Sequence, residues 1–239
     1  MSQNAVRSSG LGPIVDVINV KSVRLYRQAA EWSPEQFAEE QIRGLVRQVF
    51  FSSAGQPVRQ VVLSAVEGTT DVTHLCRQAG EALASEIKGS VAVLTWDSTV
   101  LEESSRDQCK PQTMRIGGAE ASPTPWRDLA QRTKANLWML TLESPAISSS
   151  WTEIYSRLCE LRSEFDYSIV QGPAAGLSNQ LASLGQLSDG IVLVVTAHKT
   201  RKAAARKAKE TLEAARIRML GIVLSERTFP IPTALYRRL

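Results

Sequence analysis

Cysteine is scarce in this chain of 239 residues. Cys76, Cys109 and Cys159 are scattered, with no CxxC pair and no grouping around the two histidines, His74 and His198. An odd, dispersed set of thiols excludes a disulfide framework and a zinc site, and it suits a reducing compartment. Long apolar runs are missing as well. No stretch reaches the roughly 18 residues that would suggest a membrane span, and the polar start Met1-Ser2-Gln3-Asn4 has no apolar signal core. The expected location is the cytoplasm, at the inner membrane only through a partner. Excess charge is also lacking: the net charge is +4, charged residues make up 22% and hydrophobic ones 43%. Such a balance excludes global disorder and offers nucleic acid or anionic lipid only weak attraction.

What the chain does have is a series of apolar strands alternating with amphipathic helices. Residues 1–33 carry little periodicity beyond Ile14-Val15-Asp16-Val17-Ile18 and read as an N-terminal arm, leaving 34–239 as one α/β domain. Ser33-Pro34-Glu35 is a helix start, with Ser33 as cap and Pro34 in the first turn. That helix is expected to reach about Phe51, with Phe37, Leu45 and Val49 inward and Glu40, Arg43 and Arg47 along another face. Gln60 to Ala65 is continuously apolar enough for a strand covered on both sides. After a turn at Gly68, the helical spacing of Val72, Leu75, Cys76, Ala79, Leu83 and Ile87 predicts a helix to about Lys88, ended by Gly89. His74 lies on it without a nucleophile to serve.

A further strand is expected at Val91–Leu94, and the stretches Asn136–Leu142, Phe165–Pro173, Asp189–Ala197 and Arg218–Leu224 resemble core strands of a known family. Residues 98–124 read as a long surface loop and Trp126–Thr133 as a short helix. Trp151, Ile154, Tyr155, Leu158 and Leu161 fall on one helical face, as do Ala204, Ala208, Leu212 and Ala215. The second of these helices opens with Lys199, Arg201, Lys202, Arg206, Lys207 and Lys209, a basic side.

A strand, a glycine turn and a helix form the frame that holds phosphates in P-loop proteins. Ser64-Ala65-Val66-Glu67-Gly68-Thr69-Thr70-Asp71-Val72-Thr73 resembles the SAxPGEGK[ST]T loop of the bacterial tyrosine kinases of capsule and exopolysaccharide synthesis, members of the deviant-Walker P-loop ATPases. Phe165-Asp166-Tyr167-Ser168-Ile169-Val170-Gln171-Gly172-Pro173 resembles their FDYVIIDTPP, and Asp189-Gly190-Ile191-Val192-Leu193-Val194-Val195 their DGVLLVV. Glu40-Gln41-Ile42-Arg43 matches half of their ExxRxxR interface helix, with Val46 at the third position and Arg47 one residue late. The likeness runs from about residue 35 to the end, where the tail resembles IPxxLYRxL but carries one tyrosine, Tyr236, rather than a cluster.

The resemblance implies a three-layer α/β P-loop NTPase-like domain with a mostly parallel sheet of about seven strands. It also assigns a degenerate nucleotide site of Gly68, Thr69, Thr70, Asp71, Val72, Thr73, Thr95, Asp97 and Gln171. Asp71 stands at the lysine, Val72 at the Mg²⁺-binding hydroxyl, Thr95 at the first acid of DxD, and Gln171 at the Walker B aspartate. Losing the cation and the metal ligands together removes most of what a protein contributes to phosphoryl transfer. The expected function is therefore that of a non-catalytic partner of a membrane polysaccharide co-polymerase or of an active kinase homologue. Glu40, Arg43 and Arg47 are its candidate interface, self-association is allowed, no catalytic residue or resident metal is assigned, and no cofactor is expected. ATP or ADP with Mg²⁺ is the ligand pair if the site still binds. Two alternatives stand beside it: a weakly active ATPase or kinase using Lys88, Lys199 or a partner's arginine, and a partition- or division-type ATPase binding DNA or membrane through its basic helix.

Overall fold

The computed structural model describes residues 34–52, 56–97, 124–143, 151–176 and 180–226. The arm, the 98–124 loop up to residue 123, and the tail lie outside them. Buried strands alternate with amphipathic helices in the order α1 (Pro34–Phe50), β1 (Gln60–Ala65), α2 (Thr73–Glu86), β2 (Val91–Asp97), α3 (Trp126–Leu129), β3 (Gln131–Lys134), β4 (Leu137–Glu143), α4 (Trp151–Glu164), β5 (Tyr167–Gln171), α5 (Gln180–Leu187), β6 (Gly190–Thr196), α6 (Lys202–Ala214) and β7 (Met219–Ser225). The seven strands form one sheet ordered β3-β4-β2-β5-β1-β6-β7, parallel except for β3 against β4. Strand β1 sits between β5 and β6, with every residue buried, which explains its unbroken apolar character.

Alternation along the strands divides the core in two. Val61, Leu63, Val93 and Ile169 face α1 and α2, meeting Val46, Val49, Phe50, Cys76, Ala79 and Leu83. Val62, Leu94, Val170 and Leu193 face the opposite helices, meeting Trp126 of α3, Leu158 and Leu161 of α4, Leu181 and Leu184 of α5, and Leu212 of α6. Helices thus cover both sides of a mostly parallel sheet, the expected three-layer α/β architecture. Each fully buried Leu or Val contributes about 1.5–3 kcal/mol of transfer free energy, so the two layers dominate the stability.

Several local expectations are corrected. Trp126–Thr133 is not one helix: it is a single turn, α3, followed by the exposed strand β3 that pairs with β4. The inward stripe of α1 centres on Val46, Val49 and Phe50, with Leu45 and Phe37 only half-buried. Tyr155 lies outside the core face of α4, 53% exposed, because the helix seats Leu158 and Leu161. Helix α2 begins at Thr73 and ends at Glu86, inside the expected limits.

Candidate functional site

In an open α/β sheet, ligands bind beyond the carboxyl ends of the strands where the chain order switches direction. Here the chain passes from β5 on one side of β1 to β6 on the other, so that place is the carboxyl end of β1. The loop leaving β1 is held on both flanks. Val66 donates its N–H to Val194 O at 3.0 Å, and the backbone of Val66 and Ala65 accepts from Gly176 and Ala175 at 3.2 and 2.8 Å. Gly172 donates to Leu63 O at 2.7 Å, in a crossing so close that a Cβ there would stand 2.7 Å from Val62 Cγ1. Buried Ser64 fastens the same crossing by donating to Pro173 O at 2.6 Å.

The turn itself runs from Glu67 to Thr70, closed by Thr70 N–H to Glu67 O at 3.2 Å, with Gly68 and Thr69 exposed at its tip. The Thr70 hydroxyl meets the Thr196 hydroxyl at 2.7 Å, and Thr200 Oγ1 in turn accepts the Thr196 N–H at 2.9 Å. Val72 is buried with Ala65 and Val194. Asp71 is exposed, and its Oδ1 accepts the N–H of Thr73 at 2.8 Å, at the first residue of α2. A helix start carries unpaired donors and a partial positive charge, so a carboxylate there is favourable. Its field extends inward: burial first, and then the Asp71 charge, push the Cys76 thiol up to about 12.

Gln171, last in β5, is half-buried. Its Oε1 accepts from the Thr73 hydroxyl at 3.3 Å and from Trp96 N–H at 3.2 Å, while the Trp96 indole N–H donates to Gln171 O. The carboxamide thereby stitches β2, β5 and the head of α2 together. Thr95 is buried within the sheet and donates to Leu140 O at 3.3 Å. Asp97 ends β2 in register with Glu143 of β4.

The geometry therefore brings Thr70, Asp71, Val72, Thr73 and Gln171 to one end of the sheet, with Thr95 and Asp97 on the neighbouring β2. Trp96, Thr196 and Thr200 join this cluster without having been anticipated. Thr196 is 126 positions from Thr70, and only the strand order could have revealed the pairing. Glu40, Arg43 and Arg47 lie elsewhere, exposed on α1, with Arg47 bonded to Glu86 of α2 at 2.7 Å. Of the two lysines considered as replacements, Lys88 lies past the far end of α2. At 1.5 Å per residue that is about 20 Å from the loop, so it cannot serve there. Lys199 follows β6 at the near end, and its ammonium is bonded to Glu226 at 2.7 Å.

No family model matches the chain, and no curated protein matches it. Solved structures do. The chimerical protein CapA2B2 aligns at 16% identity over 77% of this chain and 83% of its own, with a TM-score of 0.59. The kinase domain of Escherichia coli tyrosine kinase ETK aligns at 15% identity over 89% of each chain, TM-score 0.58. The cell division protein MinD from Aquifex aeolicus aligns at 17% identity over 75% of this chain and 72% of its own, TM-score 0.51. At these identities the likeness establishes the fold, which is P-loop ATPase-like.

Proposed function

We propose that this chain is a non-catalytic, bacterial-tyrosine-kinase-like domain. It would act in the cytoplasm as partner of a membrane polysaccharide co-polymerase, or of an active kinase homologue, in exopolysaccharide assembly and export. Residues 34–239 form the domain in this reading, and 1–33 an arm. The observation that carries it is the Asp71 carboxylate on the Thr73 N–H. A protein anion already takes the first N–H donor of α2, at the place where a phosphate would be received, and it would repel a polyphosphate at short range.

The groups around it fit Mg²⁺-nucleotide poorly. Mg²⁺ prefers carboxylates and water, whereas Gln171 offers a neutral oxygen already accepting two hydrogen bonds. Val72 is buried apolar surface, and among the described residues no group of three or more His, Cys, Asp or Glu could hold a metal ion. No phosphoryl-transfer step follows from such a set. A surface that biases a partner's equilibrium needs no intact catalytic site, and Glu40 and Arg43, exposed on α1, are the side chains offered to one.

Calorimetric titration with Mg²⁺-ATP and Mg²⁺-ADP tests the reading, run beside a Thr70→Gly, Asp71→Lys, Val72→Thr variant. Wild-type protein silent to millimolar nucleotide is the expected result. Micromolar binding would overturn the closed-site reading and make a nucleotide-binding enzyme the leading one. Recovery of envelope or polysaccharide components in a pull-down from the native host tests the partner. A second reading, a partition- or division-type relative, draws on the exposed Arg201, Lys202, Arg206 and Lys207 at the start of α6. It requires salt-sensitive binding to duplex DNA or anionic vesicles, lost when these charges are neutralised.

A further inference from the structure

The modest net charge of +4 conceals a division along the chain. Residues 199–239 hold 11 of the 28 Lys and Arg but three of the 24 Asp and Glu, a net +8, while residues 1–198 hold 17 against 21, a net −4. Much of the excess gathers on α6. Arg201 at its N-cap and Lys202, Arg206 and Lys207 in its first two turns are exposed, while Ala208 and Leu212 seat the helix on the sheet. Lys199 and Lys209 are bonded to Glu226 and Glu213 at 2.7 and 3.5 Å, whereas those four side chains enter no ion pair among the described residues. Their placement costs the fold stability. Cations at a helix start oppose its partial positive charge, no acid stands in the first turn, and Arg201 makes no side-chain cap. Lys202 and Arg206 add a like-charge pair four residues apart. Elsewhere in the chain no acidic segment balances the face: 1–33 is net +2, 98–123 net −1 and 227–239 net +3. Its complement is a polyanion outside the chain.

We infer that this face of α6 lies directly on the anionic surface of a phospholipid membrane. The inference rests on the reading above, in which the domain works beside a membrane protein, and adds to it a contact with the lipid itself. Helix α6 packs in the same layer as α4 and α5, and α1 in the layer on the other side of the sheet. A membrane against α6 therefore leaves Glu40 and Arg43 of α1 open to a protein partner. Each cation held near an anionic lipid surface strengthens binding about fivefold, and four multiply to several hundredfold. That is weak for a protein free in solution and effective for one already held at the membrane by a second attachment. Duplex DNA would match the same charges, but this reading supplies no second attachment there.

Co-sedimentation of the purified full chain with phosphatidylcholine vesicles, plain or carrying about 30% phosphatidylglycerol, is the test. Wild type should bind the anionic vesicles alone at about 50 mM salt and be released at about 500 mM. The Arg201→Gln, Lys202→Gln, Arg206→Gln, Lys207→Gln variant should bind about tenfold or more weakly. It should also melt no lower than wild type, since it relieves the repulsion at the helix start; a merely structural patch would lower Tm instead. Removing as many charges elsewhere, by Arg43→Gln, Arg59→Gln, Arg77→Gln and Lys88→Gln, should leave binding within about threefold, because a surface contact weights the nearest charges. No binding to anionic vesicles would overturn the proposal, as would equal losses in the two variants. Tighter binding to a duplex of equal phosphate concentration would overturn it too, and assign the face to nucleic acid. Only protein and lipid are present, so a pull-down that fails to find a polysaccharide partner would count against that reading and leave the vesicle result standing.

Discussion

At the scale of single residues, Asp71 and Asp189 show what carboxylates do in this chain. Asp71 lies one residue before Val72, the N-cap of α2, and closes a turn by accepting the Thr73 N–H; loss of such a hydrogen bond costs about 1 kcal/mol. Asp71→Ala should therefore lower the unfolding free energy read from urea titration by that amount, and Asp71→Asn, which keeps an oxygen acceptor, by less. Asp189 holds the opposite end of the sheet. Its Oδ2 accepts from the N–H groups of Arg59 and Gln60 at 2.7 and 2.8 Å, and Oδ1 accepts from Arg162 at 2.8 Å. Burial raises its pKa, but the two backbone donors and the guanidinium outweigh it, and the carboxyl ends below its usual range. A depressed folded pKa contributes stability that is full above the unfolded value, about 3.9, and is lost as pH falls through the folded one. Asp189→Asn should cost about 1.5–3 kcal/mol at neutral pH. In denaturant titrations from pH 7 downward, the gap to wild type should hold to about pH 5 and close at lower pH.

At the scale of elements, Gly80 sets how α2 lies on the sheet. A Cβ at this position would collide with Val93 Cγ2 of β2, with Leu137 Cδ1 of β4 at 3.5 Å. Gly80→Val forces the helix off the strand, and overpacking of this kind costs about 1–3 kcal/mol; a lowered midpoint in chemical denaturation is the expected outcome. The elements also show which features sequence pattern carries. Gln60–Ala65 was legible because both faces of β1 are buried, so every position is under the same constraint. β3 was not, because all four of its residues are exposed and only backbone pairing with β4 makes them a strand. Tyr155 was misplaced because an aromatic fits helical spacing whether or not the helix turns that edge inward. At the site, the strand-turn-helix frame was readable from local spacing. The Thr70–Thr196 and Gln171–Trp96 links were not, since each depends on the order of strands across the sheet. Asp71 did carry a local signal, since an aspartate side chain readily accepts the backbone N–H two residues on.

At the scale of the whole molecule, the proposal of a closed loop and the intact fold make a joint prediction. A ligand that binds only the native state raises stability by RT ln(1 + [L]/Kd), so about 5 mM Mg²⁺-ATP against a Kd of 10 µM would add roughly 3.7 kcal/mol. For a chain of this size that is a shift of roughly 7–15 °C in Tm. With Asp71 seated on the head of α2, Val72 buried and Gln171 committed to Thr73 and Trp96, the wild type should move by less than about 1 °C. The same scan on the Thr70→Gly, Asp71→Lys, Val72→Thr variant separates two ways of being closed. If the three side chains alone block the loop, nucleotide should stabilise the variant. If the rigid tie of Gln171 to Trp96 and Thr73 also matters, the variant stays silent until Gln171→Asp is added, because only then does a carboxylate stand at the end of β5. A wild-type shift of several degrees would contradict both arrangements at once, and it would do so without disturbing the fold on which they rest.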